Sequence, residues 1–329
     1  MTGTRAEKGH TIVVGKLASS PTAFLRPALQ YRSARAAISA FLRAAGSLPG
    51  DRVLCPAYVG WSPREGSGVL DPLKSLGLEP RFYRMRSDLS VDLDDLGDRL
   101  ERDHPRGVIV IHYFGRVDPC YVEMVRLIKA AGAWCLEDEA HALFTDLVSG
   151  ACGRLGDAAV LSLHKVLPVS DGGALLLNPS SSIEATGLDG PSVSSSILWD
   201  HDLQQIAATR QRNSAQLAAL IAPLAGQIDP LWTDLPEDTV LQTYPVILRT
   251  ANRDQVYEEM NALGQGVVSL YHTLVSGISE TDHPESHALS RSILNLPIHQ
   301  DVDGTQLAVM VRQLARVVGR QSGSRIRIE

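Results

Sequence analysis

Apolar positions fall into two rhythms along the chain, and their alternation predicts the architecture. After Ser33, the residues Ala37, Ile38, Phe41 and Leu42 share one face at helical spacing, and Ser33 is placed to cap that helix. Residues 78–83 predict a short strand. Residues 91–100 predict a helix whose early acidic residues suit the positive end of its dipole. The unbroken apolar run from Gly107 to Ile111 is the pattern of a central parallel strand covered on both faces. Asp118-Pro119 predicts a helix start. Tyr121, Val125 and Ile128 would form that helix's buried stripe, and Gly132 would end it. One further apolar run ends at Asp138 and another at Ser162, and the Gly172-Gly173 turn opens a third.

Strand and helix alternating as far as Leu177 predict an α/β fold: a mostly parallel, doubly wound central sheet with helices on both faces. Residues 21–27 read as a leading loop and 180–196, rich in Ser and Gly, as another. Helices are then predicted over 200–224, 254–263 and 305–318, with strands over 239–248 and 266–270. That mixed order predicts a small α+β C-terminal domain. The expected division is a large domain over 1–225, with its core at 21–180, and a small one over 226–329. The basic stretch 320–327 reads as a frayed terminus.

Composition narrows the class. The chain has 329 residues, 44% of them hydrophobic, enough for two domains and a sizeable core. A net charge of −6 gives no electrostatic footprint for nucleic acid. The four cysteines form no CxxC pair and no zinc spacing, so no metal is expected and a reduced, cytoplasmic setting is the simplest expectation. No apolar leader and no run long enough for a membrane span appear in the sequence.

The chemistry gathers between Trp134 and Leu177. One predicted strand ends in a carboxylate, Asp138, and another in Ser162 with Lys165 just beyond it. Pyridoxal phosphate (PLP) needs such a pair. A lysine holds its aldehyde covalently, and a carboxylate keeps its ring nitrogen protonated so that the ring can accept electrons. The competing readings are ordinary ones: Lys165 as a solvated lysine, Asp138 as a helix cap and His141 as a surface histidine.

Glu137-Asp138-x-Ala140-His141, Gly153-x-x-Gly156-Asp157, Ser162 followed by Lys165, and Asp171-Gly172-Gly173 resemble, in that order, the DegT/DnrJ/EryC1/StrS aminotransferases. These are fold-type I PLP enzymes that act largely on nucleotide-linked keto sugars. Ser292-Ile-Leu-Asn-Leu-Pro297-Ile-His299 matches a further signature. The resemblance implies that Lys165 carries the cofactor, Asp138 pairs with its ring nitrogen, His141 meets its ring hydroxyl and Ser162 lies beside it. It also implies that Ser33, Ala34 and Arg35, at a helix N-terminus, hold the phosphate, as the free N–H groups there allow. His112, at the end of the central strand, falls near the site by the same analogy or is a satisfied core histidine.

Several positions depart from the family pattern. The glycine and threonine usual at the phosphate helix are Arg32 and Ser33, and the ring-stacking aromatic is replaced by Gly60. Trp61 or Tyr58 would have to substitute, Trp61 being preferred, unless both are core aromatics. Ser162-Leu-His164-Lys165 also resembles the Ser-x-His-Lys of cysteine desulfurases, but no cysteine follows Cys152 to serve as nucleophile. Related sugar dehydratases carry histidine in place of the lysine. His164 is adjacent, but Lys165 is present, so aminotransfer is preferred. The Asn-x-Arg pattern through which relatives reach a partner's phosphate site is absent. The resemblance implies an amino-acid donor such as glutamate, a keto sugar or related cyclic ketone as acceptor, and a homodimer with its site at the interface. The alternatives are a PLP-dependent lyase, dehydratase or cyclase, or a non-catalytic relative.

Overall fold

The computed structural model describes residues 28–181, 183, 188 and 200–322. The readings for 1–27, for most of 180–196 and for the tail after 322 lie outside the described residues. The first part of the fold comprises β1 (Ala28–Tyr31), α1 (Ala34–Ala44), β2 (Arg52–Pro56), α2 (Leu70–Ser75), β3 (Glu79–Tyr83), α3 (Leu93–Asp103), β4 (Gly107–Ile111), α4 (Tyr121–Ala130), β5 (Trp134–Glu139), β6 (Ala158–Ser162) and β7 (Gly173–Leu177). Their strands make one seven-stranded sheet in the order β1-β7-β6-β5-β4-β2-β3.

From β3 to β6 the strands run parallel. β7 is antiparallel to β6, and β1 is antiparallel to β7. The α/β, mostly parallel reading therefore holds, with an antiparallel edge added. The turn from Ser162 to Gly173 is too short for the crossover that a parallel neighbour needs. β1 was not expected; at four residues it is too short to display a period.

Ser33 caps α1 as expected, its Oγ accepting the Ala36 N–H at 3.3 Å, and Ala37, Ile38, Phe41 and Leu42 are the buried face. The start of α4 differs from expectation. The helix begins at Tyr121, and the Asp118 carboxylate instead accepts the N–H groups of Cys120 and Val91, each at 2.7 Å. Asp118 thereby ties the approach to α4 to the approach to α3.

The second part comprises α5 (Leu203–Ile221), β8 (Ile228–Pro230), β9 (Thr243–Leu248), α6 (Arg253–Ala262), α7 (Pro284–Ser292), β10 (Ile293–Pro297) and α8 (Gly304–Ser322). Its three strands form an antiparallel sheet in the order β10-β9-β8. The strand expected over 266–270 reduces to a single bridge between Val268 and Asn295. Gly264 and Gly266, both at positive φ, turn the chain there. One contiguous apolar core runs from Phe41 of α1 through Ile109 of β4 to Val246 of β9 and Leu314 of α8. Among the described residues, no helix is long and apolar enough to cross a membrane.

Candidate active site

A cavity of about 530 Å³ opens where β5 and β6 end, with the N-terminus of α1 on one side and residues 269–273 on the other. The C-terminal edge of a parallel sheet is where open α/β folds place ligands. Asp138, His141, Ser162, His164 and Lys165 line it from the strand ends. Ser33, Ala34 and Arg35 line it from α1, and Trp61 from the loop after β2. Tyr58 and His112 are not part of the lining.

Lys165 ends a tight turn, Leu163–Lys165, that follows β6 directly. That turn is pinned at its base. The Leu163 N–H donates to the Gly172 carbonyl at 3.0 Å, and the Gly172 N–H donates to the Arg32 carbonyl at 3.1 Å. Gly172 sits at φ +116°, a conformation that a side chain would strain. The lysine is accessible from the cavity, yet protein atoms surround its amine, and this desolvation lowers its pKa. Asp138 is the main opposing influence.

Nζ of Lys165 lies 3.3 Å from Nε2 of His141. On the other side of that ring, Nδ1 accepts the Phe114 N–H at 3.3 Å, and the ring stacks on Phe114 at 5.7 Å and 10°. Burial, with Lys165 adding to it, holds His141 well below the usual histidine range. The imidazole is therefore neutral, and because Nδ1 is the acceptor its proton is on Nε2. An Nε2–H facing Nζ suits a neutral amine and disfavours an ammonium.

Asp138 is buried near the end of β5, and one of its oxygens accepts the Ala140 N–H at 2.9 Å. It thus makes a local turn bond and also faces the cavity. Burial pushes its pKa up, and Lys165 opposes this.

Gly173 lets the start of α1 lie directly against β7. A Cβ there would be 2.3 Å from the Ser33 carbonyl carbon and 2.5 Å from the Ala34 nitrogen. The unpaired N–H groups of the first turn of α1 are thereby brought to the cavity wall. The exposed Arg35 donates to the Glu65 carbonyl, which ties the loop after β2 to the same helix end.

Tyr58 is fully buried and packs on Tyr113 at 5.6 Å and Tyr271 at 5.2 Å. Trp61 is 43% exposed at the cavity. Of the two aromatics left open by the sequence, only Trp61 has a face a ring could reach. His112 is completely buried and bonds Glu137 at 2.9 Å. His164 is exposed, with Nδ1 3.5 Å from the Ser162 Oγ.

Among the cavity residues without a sequence reading are Glu65 and Tyr271. Tyr271 comes from the second part of the chain, at φ +57°. Its ring lies 5.8 Å from that of His141, edge to face. It sits in a stretch without periodicity, so no pattern marks it.

A lysine amine, a buried carboxylate across from it, a neutral histidine and a helix N-terminus, around a space of this size, fit pyridoxal phosphate. Residues 25–186 match the DegT/DnrJ/EryC1/StrS aminotransferase family. Among solved structures, Spr1654 from Streptococcus pneumoniae, in a PLP form, is 16% identical with a TM-score of 0.74, covering 89% of this chain and 87% of that one. The aminotransferase TlmJ from Streptoalloteichus hindustanus is 18% identical at 0.72, with coverages of 89% and 86%. DesI, solved in the presence of its TDP-sugar product, is 20% identical at 0.72, with coverages of 90% and 81%. At such identities the likeness speaks to the fold. No curated protein sequence matches the chain.

Proposed function

We propose, on the premise that the chain belongs through residues 25–186 to the DegT/DnrJ/EryC1/StrS aminotransferase family, that it is a PLP-dependent aminotransferase. It moves an amino group from an amino-acid donor such as glutamate to a keto sugar, or related cyclic ketone, of secondary-metabolite or surface-sugar synthesis. The observation that carries this reading is Lys165 Nζ, 3.3 Å from His141 in a cavity it shares with Asp138.

When bound, the cofactor supplies an electron-accepting ring that stabilises the charge left on a substrate carbon after its proton is removed. Lys165 would hold the cofactor's aldehyde, and once an amino donor had taken its place its amine, kept below the ordinary lysine range by desolvation, would be placed to carry the proton from the donor's α-carbon to the former aldehyde carbon. Asp138 would keep a proton on the ring nitrogen. The first turn of α1 and Arg35 would hold the phosphate, Trp61 would cover the ring, and His141 would orient the amine through its Nε2–H.

The acceptor assignment is supported by the family and by the DesI likeness, since that enzyme was solved with a sugar nucleotide. The same reading pairs two copies in a cytoplasmic homodimer with the cavities at their interface; the molar mass from light scattering tests the pairing. The functional test is transfer of ¹⁵N from labelled glutamate to a panel of nucleotide-linked keto sugars. Label in the sugar product is the expected result. Consumption of the sugar without label would favour a dehydratase.

A further inference from the structure

The cavity takes up one face of β5, and the opposite face of that strand carries a second cluster of reactive groups. Side chains alternate along a strand, so Asp138 faces the cavity while Glu137 and Glu139 face the other way. On that far side lie His112, at the end of β4, and Cys152, in the loop before β6. A ring nitrogen of His112, a carboxylate oxygen of Glu139 and Sγ of Cys152 are all within 4.8 Å of one another, and all three residues are buried. None of them has a part in the proposed transfer of an amino group.

Glu137 fixes the state of His112. Its carboxylate takes bonds from His112 Nε2 at 2.9 Å, the Tyr121 hydroxyl at 2.7 Å, and the N–H groups of Gly153, Leu155 and Gly156. The Tyr121 hydroxyl and three backbone N–H groups all donate to this carboxylate, so its oxygens act as acceptors toward His112 too, which puts the histidine proton on Nε2 and leaves Nδ1 presenting a lone pair. That Nδ1 is buried with no hydrogen-bond partner. The Cys152 thiol and the Asp146 carboxyl lie against Glu139, and Asp146 is in turn paired with Arg154 at 3.1 Å. A carboxylate fixing the outer nitrogen of a histidine whose inner nitrogen is free is how proteins orient a metal ligand.

We propose that His112 Nδ1, Glu139 and Cys152 Sγ form a buried site for a divalent metal ion of the zinc class, on the face of the sheet opposite the cavity. Nitrogen, oxygen and sulfur donors together suit zinc, which binds them at about 2.0–2.3 Å. Donors at the corners of a 4.8 Å triangle lie about 2.8 Å from its centre, so the sulfur needs to move inward by about 0.5 Å and the nitrogen and oxygen by about 0.6–0.8 Å. Asp146 lies against Glu139 outside this set, paired with Arg154. A thiolate and one carboxylate balance a dication, which would compensate the charge of Glu139; no ion pair among the described residues does so. The ion would tie the ends of β4 and β5 to the loop before β6, directly behind Asp138. The metal would be structural, independent of the chemistry in the cavity.

The test uses tag-free protein carrying its cofactor. Metal analysis after desalting should find about one zinc per chain, and a chelator should lower the thermal midpoint by about 5 °C or more, restored by Zn²⁺ alone. Chelated protein refilled with Co²⁺ should show thiolate-to-cobalt absorption and tetrahedral cobalt bands. Cys152→Ser and Glu139→Gln should lose these bands, and Cys120→Ser should keep them. The idea is overturned if folded wild-type protein purifies without metal, gives no thiolate–cobalt band and melts at the same temperature with and without Zn²⁺. Glu139→Gln as stable as wild type or more so would likewise overturn it, since a protonated, metal-free Glu139 would explain the cluster.

Discussion

Lys165 Nζ and His141 Nε2 face each other at 3.3 Å, and the Phe114 N–H on the far side of the imidazole fixes which nitrogen carries the proton. A strand-end lysine and a histidine from the preceding strand's turn thereby become one unit. The pair favours a neutral amine, the state a nucleophile and proton carrier needs.

Lys165→Ala should abolish the visible absorption of bound cofactor and lower turnover by at least about 10³-fold, with the fold unchanged by circular dichroism. Retention of full activity would remove the lysine from the mechanism.

The lowered lysine pKa also appears in stability. Desolvation makes the folded protein bind a proton at Lys165 less readily than the unfolded chain does. The unfolded state then holds more protons between the folded pKa and the ordinary lysine value of about 10.4, so stability rises with pH across that window and the penalty is fully present below it. The buried thiols of Cys55, Cys135 and Cys152, raised by burial, act in the opposite direction over this range, so the lysine contribution is read by difference: the urea midpoint of cofactor-free wild type minus that of Lys165→Met should rise with pH.

Asp138→Asn should keep the cofactor bound but reduce kcat by about 10²–10³-fold, because an amide does not hold a proton on the ring nitrogen. Steady-state kinetics with the cofactor content measured alongside separates loss of chemistry from loss of binding.

Trp61 and Tyr58 separate cleanly. Trp61→Ala should weaken cofactor retention, seen as faster loss of colour on dialysis. The Tyr58 hydroxyl is buried without a partner, so Tyr58→Phe should leave colour unchanged and stability equal or higher by up to about 1 kcal/mol.

Gly173→Ala would place a methyl within 2.3 Å of the Ser33 backbone. Backbone on both sides of the contact has little room to give, so the variant should lose about 1–3 kcal/mol. Phosphate affinity should fall with it, because the first turn of α1 would be pushed off the cavity wall.

The central sheet was legible because β4 and β6 are continuous apolar runs and β5 opens on Trp134-Cys-Leu136, each followed by polar residues toward its C-terminal edge. Lys165, Asp138 and His141 were legible because they follow those ends within a few positions. Tyr271 was not, since it comes from more than a hundred residues away and from a turn held by tertiary contacts, among them the Trp61 N–H on the Thr273 carbonyl at 2.9 Å. β1 escaped notice because it acquires its identity only by pairing with β7. The His112, Glu139 and Cys152 group was invisible for a related reason. Its members lie on three segments, and metal-ligand spacing in sequence captures only donors close along the chain.

The most direct measurement is the absorption spectrum of purified protein with PLP, before and after L-glutamate, for wild type and Lys165→Ala. The account predicts a visible band in wild type that glutamate converts to the pyridoxamine form, and no such band in the variant. A band indifferent to glutamate and to every other amino donor would contradict aminotransfer, and no band at all would contradict the site itself.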